Sequence, residues 1–130
     1  MISHLLADVA DTLHRTTRVR VFDRAGPGTP TQKRRTRRPA LADERAPEAL
    51  IHLREALAPR PDTQVMDWME WPVLWLELLG PDDARSTTPG LLHCGWLRWG
   101  SDGDLELRNP TAIVQWLTRW APAATAAIAE

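Results

Sequence analysis

His93 and Cys94 stand side by side in Leu91–Gly100, LLHCGWLRWG, where the only cysteine of the chain meets one of its four histidines. A thiolate beside an imidazole is the core of many nucleophilic sites. The spacing argues against such a site. The run reads as a β-strand over Leu91–Trp99, and neighbouring side chains on a strand point to opposite faces. Cys94 then falls among leucines as a small, inert, buried hydrophobe. A structural zinc site needs several Cys or His ligands at close spacing, and His4, His14 and His52 are scattered along the chain. No metal and no cofactor is expected.

Glu77 offers a second chemistry. Pro72–Leu79, PVLWLELL, reads as another strand. Pairing it with Leu91–Trp99 as a hairpin, Leu79 opposite Leu91, brings Glu77 opposite His93. An acid and an imidazole in contact can exchange a proton. With no third group beside them, a cross-strand ion pair is the simpler reading, and an enzyme centred on Glu77 and His93 the less favoured one. This register gives one face Leu74, Leu76, Leu78, Leu92, Cys94, Trp96 and Arg98. The other carries Trp71, Val73, Trp75, Glu77, His93, Leu97 and Trp99. All seven tryptophans lie between Trp68 and Trp120. Ordinary core beneath a helix is the plainer reading of the second face, since aromatic residues are mainly core residues. The sharper one makes Trp71, Trp75 and Trp99, with Glu77 and His93 among them, the expected protein-interface residues, since tryptophan joins a large apolar area to a hydrogen-bond donor. A second copy of the chain is the commonest cover for such a face, which predicts a homodimer.

The third candidate is Lys33-Arg34-Arg35-Thr36-Arg37-Arg38. Lys33, Arg34, Arg35, Arg37 and Arg38 could neutralise phosphates of a nucleic acid. The run lacks the interleaved aromatics that stack on single strands, and no DNA- or RNA-binding motif accompanies it. Net charge is −1 overall, yet residues 15–38 hold nine basic side chains against Asp23, and residues 39–130 hold seven basic against fourteen acidic. An acidic protein surface, including another copy of this chain, is an equal match for the run.

These residues are positioned by a short series of elements. Ser3 caps a helix over His4–Arg15 with Leu6, Val9, Ala10 and Leu13 on one face, and Asp11 pairs with Arg15 one turn on. Thr16–Asp23 alternates as a strand with Val19 and Val21 inward. Arg24–Pro39 is broken by Gly26, Pro27, Gly28 and Pro30, which predicts a mobile basic loop at about 24–40 and a short edge strand near Arg37–Leu41. Pro47 opens a second helix to Ala58, with Leu50, Leu53 and Leu57 inward. Thr63–Glu70 is a strand or an irregular extension, and Pro81–Pro89 a polar connection. After the turn Ser101-Asp102-Gly103, Asp104–Arg108 alternates with Leu105 and Leu107 inward. Asn109 and Pro110 open a last helix whose apolar face is Ile113, Trp116, Leu117 and Trp120. Asp102–Glu106 lacks the ligand spacing of a calcium loop, and no glycine-rich phosphate loop is present.

The expected fold is α+β over residues 1–130 as one domain. It has one mainly antiparallel sheet of four to five strands with three helices, in the order α-β-α-β-β-β-α. No apolar run reaches the length of about 20 residues needed to span a bilayer, the N-terminal stretch has no basic leader, and one cysteine suits a reducing cytoplasm. The expected function is a small non-enzymatic binding or adaptor module, of chaperone, immunity or regulator type, acting on itself or on another protein. A nucleic-acid-associated protein using residues 33–38 is the alternative, and no membrane partner is expected.

Overall fold

The computed structural model describes residues 2–27 and 39–128. The basic run 33–38 and its five candidate residues lie outside them, as does most of the expected mobile loop.

Chain order is α1 (Ile2–Arg15), β1 (Arg18–Phe22), β2 (Ala42–Glu44), α2 (Pro47–Ala56), β3 (Leu74–Leu79), β4 (Arg85–Thr87), β5 (Gly90–Leu91), β6 (Trp96–Arg98), β7 (Asp104–Glu106), α3 (Pro110–Trp120) and a one-turn α4 (Thr125–Ile128). The strands form one antiparallel sheet in the order β2-β1-β3-β5-β6-β7. Along one edge of β3, β4 takes the Leu78–Leu79 end and β5 the Leu74–Trp75 end. The class is α+β, as expected. Strands outnumber the expected four to five because Arg85–Thr87 pairs with β3 and because Leu91–Trp99 is not one strand.

That run is a hairpin. β5 and β6 face each other, Leu91 opposite Leu97, across a 3-10 turn at His93–Gly95. The turn depends on Gly95, whose φ of +82° lies where side chains with a Cβ are strained. An added Cβ there would also come within 2.6 Å of Pro110 at the start of α3.

The helices cover one face of the sheet. Val19 and Val21 lie opposite Leu78 and Leu76, and Leu74, Leu91, Leu97 and Leu105 extend the same apolar row. Against it pack Val9 and Leu13 of α1, Leu50 and Leu53 of α2, and Ile113, Trp116 and Leu117 of α3. Three polar contacts fix the helices. The Trp116 indole donates to the Ala49 carbonyl at 2.8 Å, joining α3 to α2. Arg54 on α2 donates to the carbonyls of Leu13 and His14 at the C-terminal end of α1, at 3.2 and 3.3 Å. The Trp99 indole donates to Asp8 Oδ2 at 3.0 Å, tying α1 to the sheet. No helix among the described residues is long and apolar enough to cross a membrane.

Candidate functional site

Register determines the second face, away from the helices. Phe22, Trp75, Gly90, Arg98 and Asp104 stand opposite one another in turn across β1, β3, β5, β6 and β7. Gly90 leaves a gap in this row that the Pro72 ring fills, since a Cβ on Gly90 would lie 2.6 Å from Pro72 Cγ. Gly103, with φ +126°, does the same for Val65, whose Cγ1 would be 2.4 Å from an added Cβ. A glycine in a sheet commonly marks close approach of another backbone. Here two of them let residues 63–72 lie directly on the sheet as a strap.

Asp104 and Arg98 hold that strap down. Asp104 is buried, and its Oδ1 accepts from Arg98 Nε at 2.9 Å. Its Oδ2 accepts from Arg98 Nη2 at 3.1 Å and from the Trp68 amide at 2.8 Å. Arg98 also donates to the carbonyls of Trp68 and Glu70, at 2.6 and 2.9 Å. Met66 and Asp104 exchange backbone hydrogen bonds of 2.9 and 2.8 Å. The hydrogen bonds that Arg98 donates to Asp104, with the charges of Asp104, Asp67 and Glu70 nearby, hold the Arg98 guanidinium above its ordinary pKa.

With positions 66, 68 and 70 fastened, the strap shows its apolar side chains to solvent. Met69 is 94% exposed, Trp71 58% and Trp68 40%. Each tryptophan is braced from below. Trp68 packs edge-on against Trp96 at 5.5 Å, and Trp71 against Trp75 at 5.9 Å. The indoles of Trp71 and Trp75 both donate to the Arg24 carbonyl, at 2.7 and 3.0 Å. Beside the Trp68–Trp96 pair lies a shallow depression of about 310 Å³, lined in part by Arg60, Gln64 and Glu106.

Toward β2 the same face is ionic. Asp43, Arg20 and Glu77 stand in a row across β2, β1 and β3. Arg18 grips Asp43 with two hydrogen bonds, 2.8 and 2.6 Å, and reaches Asp83 at 3.0 Å. Arg45 also meets Asp83 at 3.1 Å. Hydrogen bonds from Arg18 and Arg45 hold the carboxyls of Asp43 and Asp83 below the usual range. Each of these cations has a carboxylate partner, so this half fastens strands together.

The expected site residues separate in the structure. Leu91 pairs with Leu74, not Leu79, so the register is displaced by an odd number and the assumed faces are exchanged. The reason is β4, which occupies the part of β3 that the simple hairpin would have used. Glu77 is therefore not opposite His93. It is 1% exposed, between Arg20 at 3.5 Å and Arg85 at 3.3 Å. His93 is exposed on the 3-10 turn, where its backbone amide donates to Glu70 Oε2 at 3.3 Å. Trp99, 2% exposed, belongs to the core against the helices rather than to a surface. Of the five expected interface residues, Trp71 and Trp75 are together on one surface, with Trp75 half-buried. The side chain of Cys94 lies outside those described.

Trp68, Met69, Trp96, Arg98 and Asp104 were not anticipated as site residues. The signal that could have found them is the pair of glycines at strand starts, Gly90 before Leu91 and Gly103 before Asp104, together with a proline-bounded segment, 62–71, that has no partner strand of its own. Among the described residues no group of three or more His, Cys, Asp or Glu converges as a metal site would require. Comparison with family models, curated proteins and solved structures returns no match, and the reading rests on the geometry alone.

Proposed function

We propose that the protein is a non-enzymatic binding module that acts through protein–protein contacts, with the Trp68–Met69–Trp71 edge as its contact surface. One observation carries the reading: two tryptophans and a methionine stand out to solvent on a strap held by the buried Asp104 and the half-buried Arg98. Interface centres are enriched in tryptophan and methionine. A contact surface fixed before binding loses less conformational entropy on docking. Adaptor, chaperone, immunity and regulator roles all use such a surface.

A photo-cross-linking side chain at Met69 tests this in extract of the native cell. We expect a discrete protein adduct from position 69 that is absent with the same group at Gln115, exposed on α3 across the sheet. An adduct of twice the chain mass identifies a second copy as the partner, and any other discrete mass identifies a different chain. Identical adduct patterns from both positions contradict the reading.

The basic run Lys33–Arg38 supports a second reading, a nucleic-acid-associated protein. Contact with about five phosphates gives a log–log slope of affinity against salt near roughly −4.5. A flat response, or unchanged binding after replacement of the five cations by Gln, removes it. The arginines of β1 and β4 do not extend that basic surface, because Asp43, Asp83 and Glu77 engage them.

A further inference from the structure

The charge around the strap narrows the chemistry of its partner. Asp67 and Glu70 alternate with Trp68, Met69 and Trp71 along the exposed edge. The one cation beneath them, Arg98, pairs with Asp104 and also acts on Asp67 and Glu70, so three carboxylates are set against a single guanidinium and the edge stays net negative. Asp102 adjoins Val65 at one end of the strap. At the other side Arg60 is shared between Asp62 at 3.1 Å and Glu106 at 3.9 Å. The edge is therefore aromatic and acidic together.

That combination argues against two occupants. A symmetric dimer that seats this patch on its own counterpart crowds two sets of Asp67 and Glu70 carboxylates together, and a second copy that engages the edge through Lys33–Arg38 instead is distinguished by the mass of the Met69 adduct. A nucleic acid would set phosphates against the same carboxylates. The complementary surface is cationic and apolar at once. Arginine or lysine can lie over an indole face, gaining from the ring quadrupole, while its charge meets a carboxylate. Met69, unbranched and polarisable, adapts to irregular apolar side chains.

We propose that the Trp68–Met69–Trp71 edge docks a segment of a different protein in which arginine or lysine is interspersed with apolar residues. This rests on the protein-binding reading above and names the partner class for the same surface. The match is of charge as well as of shape, so affinity falls with added salt.

The probes are a short synthetic peptide of alternating Arg and Leu and its counterpart of alternating Glu and Leu, titrated calorimetrically against the full chain. The Arg/Leu peptide binds, and the Glu/Leu peptide binds at least about tenfold more weakly. Asp67→Asn with Glu70→Gln weakens the Arg/Leu peptide about tenfold, and Met69→Ser with Trp71→Ala weakens it by at least about that factor. Each variant is accepted only if its melting transition matches the parent. Equal binding of both peptides overturns the charge assignment and leaves the protein-binding reading standing. Equal binding of the Arg/Leu peptide by the parent and both variants overturns the assignment of the site. No binding of either peptide while the Met69 adduct persists overturns this inference alone, and loss of the adduct as well overturns both.

Discussion

At the residue scale, Asp104 is the pivot of the second face. It is buried, acidic and hydrogen-bonded both to a guanidinium and to a backbone amide of the strap. Removing one partner of such a pair leaves the other charge in a poorly solvated place. Asp104→Ala should therefore destabilise the fold by about 3 kcal/mol, at the lower end for buried pairs because Arg98 keeps some solvent contact. Chemical denaturation measures this directly. The double change Arg98→Met, Asp104→Leu should recover most of that loss, since neither charge is then stranded. It should leave the strap loose, because the Trp68 amide and the Trp68 and Glu70 carbonyls lose their partners. Recovery of both stability and strap order would show that the pair has no positioning role. Asp43 offers a test of sign. The hydrogen bond from Arg18 keeps its folded-state pKa below the unfolded value, so its contribution is complete above the unfolded pKa and disappears as pH falls through the folded one. Asp43→Asn should cost about 0.5–1 kcal/mol at neutral pH, a small figure because the carboxylate is partly exposed, and progressively less as pH falls through the folded-state pKa. A penalty that does not shrink as the pH is lowered would point to lost packing instead.

At the element scale, contact between the strap and the sheet depends on missing side chains. Gly90→Ala drives a methyl into Pro72, and overpacking of this kind costs about 1–3 kcal/mol. Pairing it with Pro72→Ala should relieve part of the penalty, and a double-mutant cycle measures the coupling. Additive effects would mean that the two positions do not meet. How far the elements could be read from the sequence follows from how local their signals are. The apolar period of Ile113, Trp116 and Leu117, the Pro47 start of α2 and the alternation around Val19 and Val21 are local, and all three appear as expected. The pairing of β3 is not local. Arg85-Ser86-Thr87 carries no apolar alternation, and its presence beside β3 displaced the register on which the Glu77–His93 pair depended. The hairpin at His93–Gly95 had one local signal, a glycine inside a strand-like run, and its left-handed φ is the physical reason the strand breaks there. Trp99 was readable as buried or as surface until Asp8 on α1 supplied the partner for its indole.

At the scale of the whole molecule, the sheet has one apolar face under three helices and one polar face divided between an ion-paired half and an aromatic, acidic half. The tryptophan-rich composition that suggested an interface was sound as a signal of an exposed aromatic surface, but the surface is carried by a strap laid over the sheet rather than by the strands. Exposed Met69 and Trp71 dock at lower entropic cost when the chain beneath them is already fixed. Backbone ¹⁵N relaxation at Met66, Trp68 and Met69 measures that property. The structure predicts order parameters near about 0.85, the level of rigid backbone, while values below about 0.6 would show a flexible loop and contradict a contact edge formed before binding.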